Sequence, residues 1–201
     1  SMAARLHVSR PTARQALQRL VDRGLLTRRR GVGTIVSPRH VHRPMELTSL
    51  MRDLVNAGHK VHTTIQRYEA RPANAQEADI LKITEGTLIV HIERTRFAND
   101  EPIAVLTNFI PTDIAPTMQE LESASLYDLM RERGVTLASA RQVIGARSAT
   151  TKEAKLLSEH RGAALLTTQR TTYDPSGRIV EYGNHIYRAS RYSFEASLFA
   201  Q

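Results

Sequence analysis

The chain has 201 residues, with 28 Lys plus Arg against 20 Asp plus Glu and no cysteine. That length supports one or two domains with a sizeable core, and no apolar stretch approaches the length of a membrane span. Lacking cysteine, the chain has neither a disulfide framework nor thiolate chemistry; no signal-peptide pattern is visible, and a reducing cytoplasm is the expected compartment.

The charge is unevenly placed. Residues 1–43 hold ten Arg and one acid, Asp22, for +9, which leaves 18 cations and 19 acids, or −1, for residues 44–201. An excess gathered at one end is the electrostatic footprint of a nucleic-acid-binding module joined to a near-neutral domain. A basic membrane-surface helix is the rival reading, but the apolar stripe of this segment is Ala and Leu with no aromatic residue, so no membrane partner is expected.

In chain order, the first predicted element is a helix from Arg10. Ser9 can cap it, and Pro11 is tolerated in the first turn because its missing amide hydrogen needs no partner there. Ala13, Ala16, Leu17, Leu20 and Val21 recur at helical spacing and form the buried stripe, which leaves Arg10, Thr12, Arg14 and Gln15 outside it. Recognition helices read DNA with their N-terminal residues; arginine suits guanine edges and threonine suits phosphates or bases. Gly24 ends the helix, and Leu25–Arg29 and Thr34–Val36 read as two strands around the turn Arg30-Gly31-Val32-Gly33, a basic hairpin able to lie against a groove or phosphate. The plainer reading is an ordinary solvated helix and hairpin.

This segment resembles the winged helix-turn-helix of the GntR family of bacterial transcription regulators. The resemblance implies contacts to double-stranded operator DNA from Ser9, Arg10, Thr12, Arg14, Arg30 and Gly31. It also implies a further helix and a Ser-Glu-Arg-type stretch ahead of Met2-Ala3-Ala4-Arg5-Leu6, so residues 1–37 are expected to be a winged helix-turn-helix without its first helix. Pro38-Arg39-His40-Val41-His42-Arg43-Pro44 has no apolar period and reads as a linker, placed over residues 38–46, and residues 47–201 form a second domain.

Sliding the chain on itself by 76 residues aligns Ser49–Ile110 with Ser125–Ile186 without a gap. Identical pairs include Ser49/Ser125, Gly58/Gly134, Gln66/Gln142, Arg71/Arg147, Glu77/Glu153, Leu81/Leu157, Arg94/Arg170, Ile103/Ile179 and Asn108/Asn184. Two copies are too few for a solenoid and predict a pseudo-two-fold domain with one shared core. Each half reads as a helix (Leu50–Ala57, Leu126–Arg133), an extended segment (Val61–Arg71, Leu137–Arg147), a short helix (Ala75–Lys82, Thr151–Ser158) and a long hairpin. The hairpins are Leu88–Ala98 with Pro102–Ile110, and Ala164–Tyr173 with Arg178–Tyr187. The fold class is therefore α+β, an internally duplicated antiparallel sheet with helices beside it.

The second domain resembles the UTRA-type effector-binding domain of the histidine-utilisation-repressor branch (the HutC subfamily) of the GntR family, which has a chorismate-lyase-like fold. The likeness is carried by Arg94-Thr95-Arg96…Glu101-Pro102-Ile103, Ser125-Leu126-Tyr127, and Glu181-Tyr182…Tyr187-Arg188-Ala189-Ser190-Arg191-Tyr192. It implies a homodimeric, ligand-responsive repressor that is not an enzyme and needs no cofactor. Ser49 and Ser125, each ahead of a helix, and Arg94 and Arg96, on one face of a strand by alternation, suit the phosphate or carboxylate of an effector. The alternative is that the serines are only caps and the arginines only ion-pair partners. Glu181 and Tyr187 match family positions that contact the polar body of an effector, and Tyr127 or Asn108 could add polarity. Ala189-Ser190 replaces the Gly-Asp that usually follows Tyr187-Arg188, and Leu106 stands where sugar-phosphate-binding relatives carry a glutamate; the Leu106 change argues against an amino-sugar phosphate. The pairs His40/His42 and His59/His62 read as loop histidines, not metal ligands, because no further ligand is near. Two rivals stand beside this reading: a chorismate-lyase-like enzyme, and a small-molecule-binding module without DNA binding.

Overall fold

The computed structural model describes residues 8–22, 26–29, 33–36, 41–44 and 47–195. They fall into two compact units divided between Val41 and His42.

In the first unit, helix α1 (Arg10–Asp22) is followed by strands β1 (Leu26–Arg29) and β2 (Gly33–Val36), paired antiparallel from Leu26↔Val36 to Arg29↔Gly33. Ser9 starts the helix: its Oγ accepts from the Thr12 amide at 3.2 Å and its carbonyl from the Ala13 amide at 3.0 Å. Gly24 and the turn at residues 30–32 lie outside the described residues. Within the expected linker, β3 (Val41–Pro44) is a short strand paired with β10 (Tyr192–Glu195), a partner about 150 residues away that local sequence pattern cannot announce.

The second unit runs α2 (Leu50–Asn56), β4 (Val61–Pro72), α3 (Ala75–Leu81), β5 (Leu88–Ala98), β6 (Glu101–Pro111), α4 (Met118–Ser123), α5 (Leu126–Glu132), β7 (Ser139–Ser148), α6 (Thr151–Leu156), β8 (Ala164–Tyr173) and β9 (Ile179–Arg188). Its six-stranded sheet has the order β4-β5-β6-β9-β8-β7, and every neighbouring pair is antiparallel. The two hairpins thus meet edge to edge at β6 and β9, and the halves share one sheet.

The duplication is visible in details as small as caps and ion pairs. Arg71 bonds Glu77 and Arg147 bonds Glu153, each pair next to the capping box that opens α3 or α6. Left-handed Gly58 and Gly134 follow α2 and α5, with φ of 79° and 80°, a conformation that glycine adopts without Cβ strain. Arg52 and Asp128 occupy the same position in the two repeats and bond each other at 2.8 Å, which sets α2 and α5 side by side.

One part of the gapless alignment is corrected by the strand registers. The loop between β5 and β6 is Asn99-Asp100, both with positive φ, whereas the chain between Asp174 and Arg178, which bond each other, needs Pro175-Ser176-Gly177. That extra residue changes the repeat offset from 76 to 77 in the last strand. Arg94 pairs with Leu106 and its equivalent Arg170 with Gly183; the bulges after Arg96 and Thr172 follow the same rule. The identical pairs Ile103/Ile179 and Asn108/Asn184 are therefore not structural equivalents. Asn108 corresponds to His185, Leu106 to Gly183, Ala104 to Glu181 and Ile110 to Tyr187. The pseudo-dyad runs through the Thr107↔Asn184 pair. A one-residue slip exchanges the faces of a strand, and Asn184 is accordingly exposed while Asn108 is buried.

On one face of the sheet, Val90, Ile92, Ile110 and Val180 pack with Leu126, Leu129 and Met130 of α5 and Leu121 of α4. On the other, Ile89 packs with Ala78 and Leu81 of α3, and Val105, Leu165 and Ile186 with Ala154 and Leu157 beside α6. Helix α4 was not expected from the sequence, although Thr117 and Glu120 form a capping box that marks its start.

Thr150→Ala should lower unfolding free energy by about 0.5–2 kcal/mol, because it removes the side-chain acceptor for the Glu153 amide at the start of α6. Urea titration of the two proteins measures it; equal midpoints would show that the cap contributes nothing.

Candidate functional site

In the first unit, Thr12 and Arg14 are exposed on the first turns of α1, as a reading surface requires. The Ser9 and Thr12 hydroxyls bond each other at 2.7 Å, so both have a structural partner as well as an open side. Arg10 belongs to the helix, but its side chain lies outside the described residues, as do Arg30 and Gly31.

In the second unit, a cleft of about 390 Å³ opens over the pseudo-dyad. All seven residues expected to meet an effector line it: Ser49, Arg94, Arg96, Ser125, Tyr127, Glu181 and Tyr187. Strand alternation explains the convergence, since Arg94 and Arg96 on β5, Asn108 on β6, Glu181, His185 and Tyr187 on β9, and Arg170 on β8 share one face. Asn108, offered by the sequence as a further polar group, lines the cleft as well, and so do Arg170 and His185, which were not expected there. The signals for two of them were in the sequence: Arg170 is the repeat partner of Arg94, and His185 becomes the partner of Asn108 once the loop is aligned.

The two serines differ. Ser49 Oγ accepts from the Arg52 amide at 3.1 Å and is an ordinary helix cap. Ser125 makes no side-chain cap bond, and its buried Oγ has no hydrogen-bond partner. Since α2 and α5 each span only seven residues, the electrostatics of the cleft rest on its side chains and not on helix ends.

Arg94 and Arg96 are each 2% exposed. Arg94 Nη2 donates to Asn108 Oδ1 at 2.8 Å, and Arg96 Nη1 donates to Thr63 Oγ1. Among the described residues neither makes an ion pair, and Arg94 Nε, Arg94 Nη1 and Arg96 Nε are buried without a partner there. Burial pushes the Arg94 guanidinium down to about 10, with the Glu181 charge opposing the shift. Burial together with the neighbouring Arg94 charge takes Arg96 down to about 9. Both are still cations at neutral pH. Their depression records the cost of holding two unneutralised charges out of water.

Among the described residues Glu181 is the one carboxylate lining the cleft, and it is fully buried. Its oxygens are already engaged: Asn108 Nδ2 donates to Oε1 at 2.6 Å, and Thr172 Oγ1 and Tyr127 Oη donate to Oε2 at 2.7 and 3.2 Å. Burial and the Glu181 charge push the Tyr127 phenol up to about 12, so it stays a donor. Arg170 contributes a third cation, bonded through Nε to Gln142 Oε1 at 2.7 Å. Three guanidinium groups thus stand against one carboxylate. Gly183, between Glu181 and His185, leaves room for both, since a Cβ there would lie 2.6 Å from Glu181 Oε1 and from His185 Nε2.

Comparison with known proteins agrees with this architecture. Residues 56–193 match the model of the UTRA domain, and residues 1–36 match that of bacterial regulatory proteins of the gntR family. The chain belongs to the GntR family and carries a UTRA domain. It is 34% identical to the HTH-type transcriptional repressor NagR of Bacillus subtilis, over 96% of this chain and 80% of that protein. Identity to the histidine utilization repressor of Klebsiella aerogenes is 26%, over 96% and 81%. The crystal structure of PhnF from Mycobacterium smegmatis superposes with a TM-score of 0.87 at 25% identity, covering 99% of this chain and 89% of that one. A transcriptional regulator from Streptomyces coelicolor shares 46% identity, with a TM-score of 0.65, over 71% of this chain and 96% of its own. This GntR–UTRA protein is a DNA-binding transcriptional repressor and not an enzyme, which removes the lyase reading. No helix among the described residues is long and apolar enough to cross a membrane.

The buried charges predict a trade between stability and binding. Arg96→Met should raise the unfolding midpoint of the ligand-free protein, since an apolar chain of similar length costs nothing to desolvate. With its pKa depressed on folding, Arg96 binds fewer protons in the native than in the unfolded state above about pH 9, so its penalty is full below that pH and is relieved as pH rises. Urea titrations at about pH 7 and pH 10 should therefore show a smaller advantage for Arg96→Met at the higher pH. A variant less stable than the parent at neutral pH would show that the buried Arg96 charge carries no net penalty.

Proposed function

We propose that a small anionic metabolite, held through its phosphate or carboxylate in the cleft of the second unit, releases this repressor from its operator. The observation that carries the proposal is the pair Arg94 and Arg96, which among the described residues are buried without an ion-pair partner and with unpartnered N–H groups, in a cleft whose one described carboxylate is already saturated. Ser49, Ser125 and Tyr127 line the anion's surroundings, and Glu181 and Tyr187 stand at the polar end. In the DNA-binding unit, assigned to residues 1–37 with a connection over 38–46 and the effector domain over 47–201, the reading surface consists of Ser9, Arg10, Thr12 and Arg14, with Arg30 and Gly31 in the wing. The working form is a cytoplasmic homodimer that presents two recognition helices to two half-sites.

Effector affinity tests the first part. Charge-assisted hydrogen bonds contribute about 1.5–3 kcal/mol, so Arg94→Ala should weaken effector binding roughly tenfold or more while effector-free protein still binds operator. Calorimetry and operator release are measured with sugar phosphates, carboxylates such as urocanate, and neutral analogues of each. Equal response to neutral and anionic compounds, or a normal response in Arg94→Ala, would return these arginines to a structural role. Because the cleft loses positive charge as Arg96 and then Arg94 deprotonate, anion affinity should fall as pH rises through about 9 to 10.

Operator binding tests the second part. Arg10→Ala and Arg14→Ala should each cost about 1–3 kcal/mol on the operator if the side chain reads a base, and Arg30→Ala should weaken all sequences alike. Specific and nonspecific affinities at two salt concentrations separate these effects. Unchanged binding in all three variants would remove this helix and wing from the interface.

A further inference from the structure

The hydrogen bonds around the pseudo-dyad fix the direction of every proton along a buried chain from Glu181 to Tyr187. A carboxylate only accepts, so the Asn108 atom 2.6 Å from Glu181 Oε1 is the amide nitrogen Nδ2. A guanidinium only donates, and the atom of Asn108 that faces Arg94 Nη2 at 2.8 Å is accordingly Oδ1. Two independent neighbours thus impose the same orientation on one amide. The second hydrogen of Nδ2 faces His185 Nε2 at 3.2 Å, so that ring nitrogen accepts and carries no proton. A neutral imidazole with a bare Nε2 has its hydrogen on Nδ1, which lies 3.2 Å from Tyr187 Oη. The Tyr187 oxygen therefore receives a bond from His185, and its own hydrogen remains to be given away. Among the described residues no group accepts it, and Tyr187 lines the cleft.

We infer that Tyr187 is a specificity-determining donor, set by Glu181, Asn108 and His185 acting as positioning residues, and that the cleft takes an anion bearing a second hydrogen-bond acceptor, a carboxylate or carbonyl oxygen, at the Tyr187 end. This inference rests on the anion reading of the cleft. The other unsatisfied groups point the same way, for Arg94 Nε and Nη1 and Arg96 Nε are all donors, and Ser125 Oγ can donate. A ligand with a protonated amine at the Tyr187 end would set donor against donor. Glu181, the one group able to welcome a cation, has its two oxygens occupied by three internal donors.

Two measurements on the full chain test this. Long-range proton–nitrogen correlation spectra of histidine-labelled protein, with the His185 signal assigned by its loss in His185→Asn, report the tautomer without any ligand. The Nδ1–H form is expected; an Nε2–H or doubly protonated ring overturns the relay. In Glu181→Gln, Arg94 still holds Asn108 Oδ1 and the new amide oxygen still accepts from Nδ2, so the Nδ1–H form should persist; a shift of tautomer there overturns the double constraint placed on Asn108. Calorimetry then compares phosphoglycolate, which carries a carboxylate beyond its phosphate, with phosphoethanolamine, which carries an ammonium. Phosphoglycolate should bind at least tenfold more tightly, and Tyr187→Phe should shrink that ratio by a similar factor. Equal affinities, or a ratio untouched by Tyr187→Phe, overturn the inference while leaving the anion site standing. Failure of inorganic phosphate and of both compounds to bind overturns the anion reading itself, and with it the ligand preference.

Discussion

Arg94 and Arg96 stand two residues apart on one strand, so alternation sends both guanidinium groups to the same face of the sheet, where burial removes them from water. Burying one unneutralised cation is costly, and placing a second beside it adds repulsion. The surrounding structure meets this demand only in part. Asn108 and Thr63 each supply one acceptor, and Glu181 supplies a charge held at a distance by its own three donors. What is left over is a set of buried N–H groups and a surplus of positive charge, and an entering anion relieves both. Ligand binding and stability are thereby linked in sign: a ligand at 100 times its dissociation constant stabilises the state it binds by about 2.7 kcal/mol, and the loss of either arginine removes this advantage along with the cost.

Pseudo-symmetry explains how one cleft comes to have two unlike ends. A strict two-fold would line both halves with the same groups, as Arg94 and Arg170 still do. Because the second hairpin loop is one residue longer, the last strand of each half must be compared at a different offset, and the positions so matched have diverged: Leu106 against Gly183, Ala104 against Glu181, Ile110 against Tyr187; at the unchanged offset of the preceding strand, Arg96 stands against Thr172. The first half thus supplies most of the cationic wall, while the second supplies hydroxyls, a carboxylate and the glycine that makes room for it. Asn108 and His185, equivalent across the dyad, meet at its centre and are chemically complementary where two copies of either residue would not be, since one amide nitrogen donates to one bare ring nitrogen.

Much of this was legible in the sequence because alternation and repetition are local signals. The faces of β5 and the pairing of Arg94 with Arg170 follow from period and offset alone, and the caps and left-handed glycines mark element ends that the structure reproduces within a residue or two. What escaped had a physical reason in each case. The gapless offset failed beyond the second hairpin because two chance identities, Ile103/Ile179 and Asn108/Asn184, outweighed a single inserted residue. Helix α4 has six residues, too few to establish a period, although its capping box was visible. The pairing of β3 with β10 depends on chain segments far apart in sequence. The saturation of Glu181 could not be read at all, because a carboxylate expected to meet a ligand and one consumed by its neighbours have the same letter.

The distribution of charge separates the two tasks of the chain. The N-terminal excess of +9 acts through the ion atmosphere of DNA and is weakened by salt in proportion to the phosphates it neutralises. The arginines of the cleft belong to a domain of net −1 and are shielded from bulk ions, so under the proposed function they act on one small anion at contact distance. A metabolite can bias the DNA-bound state only by the difference between its affinities for two conformations, so the proposed release requires a cleft that differs between them. Its wall offers a place for such a difference: Tyr187 stacks on Tyr192 with ring centroids 4.4 Å apart, and Tyr192 opens β10, the strand paired with β3 where the chain enters the effector domain. Under the proposed function, a single side chain thus joins ligand chemistry at one end of the Tyr187 ring to packing against Tyr192 at the other.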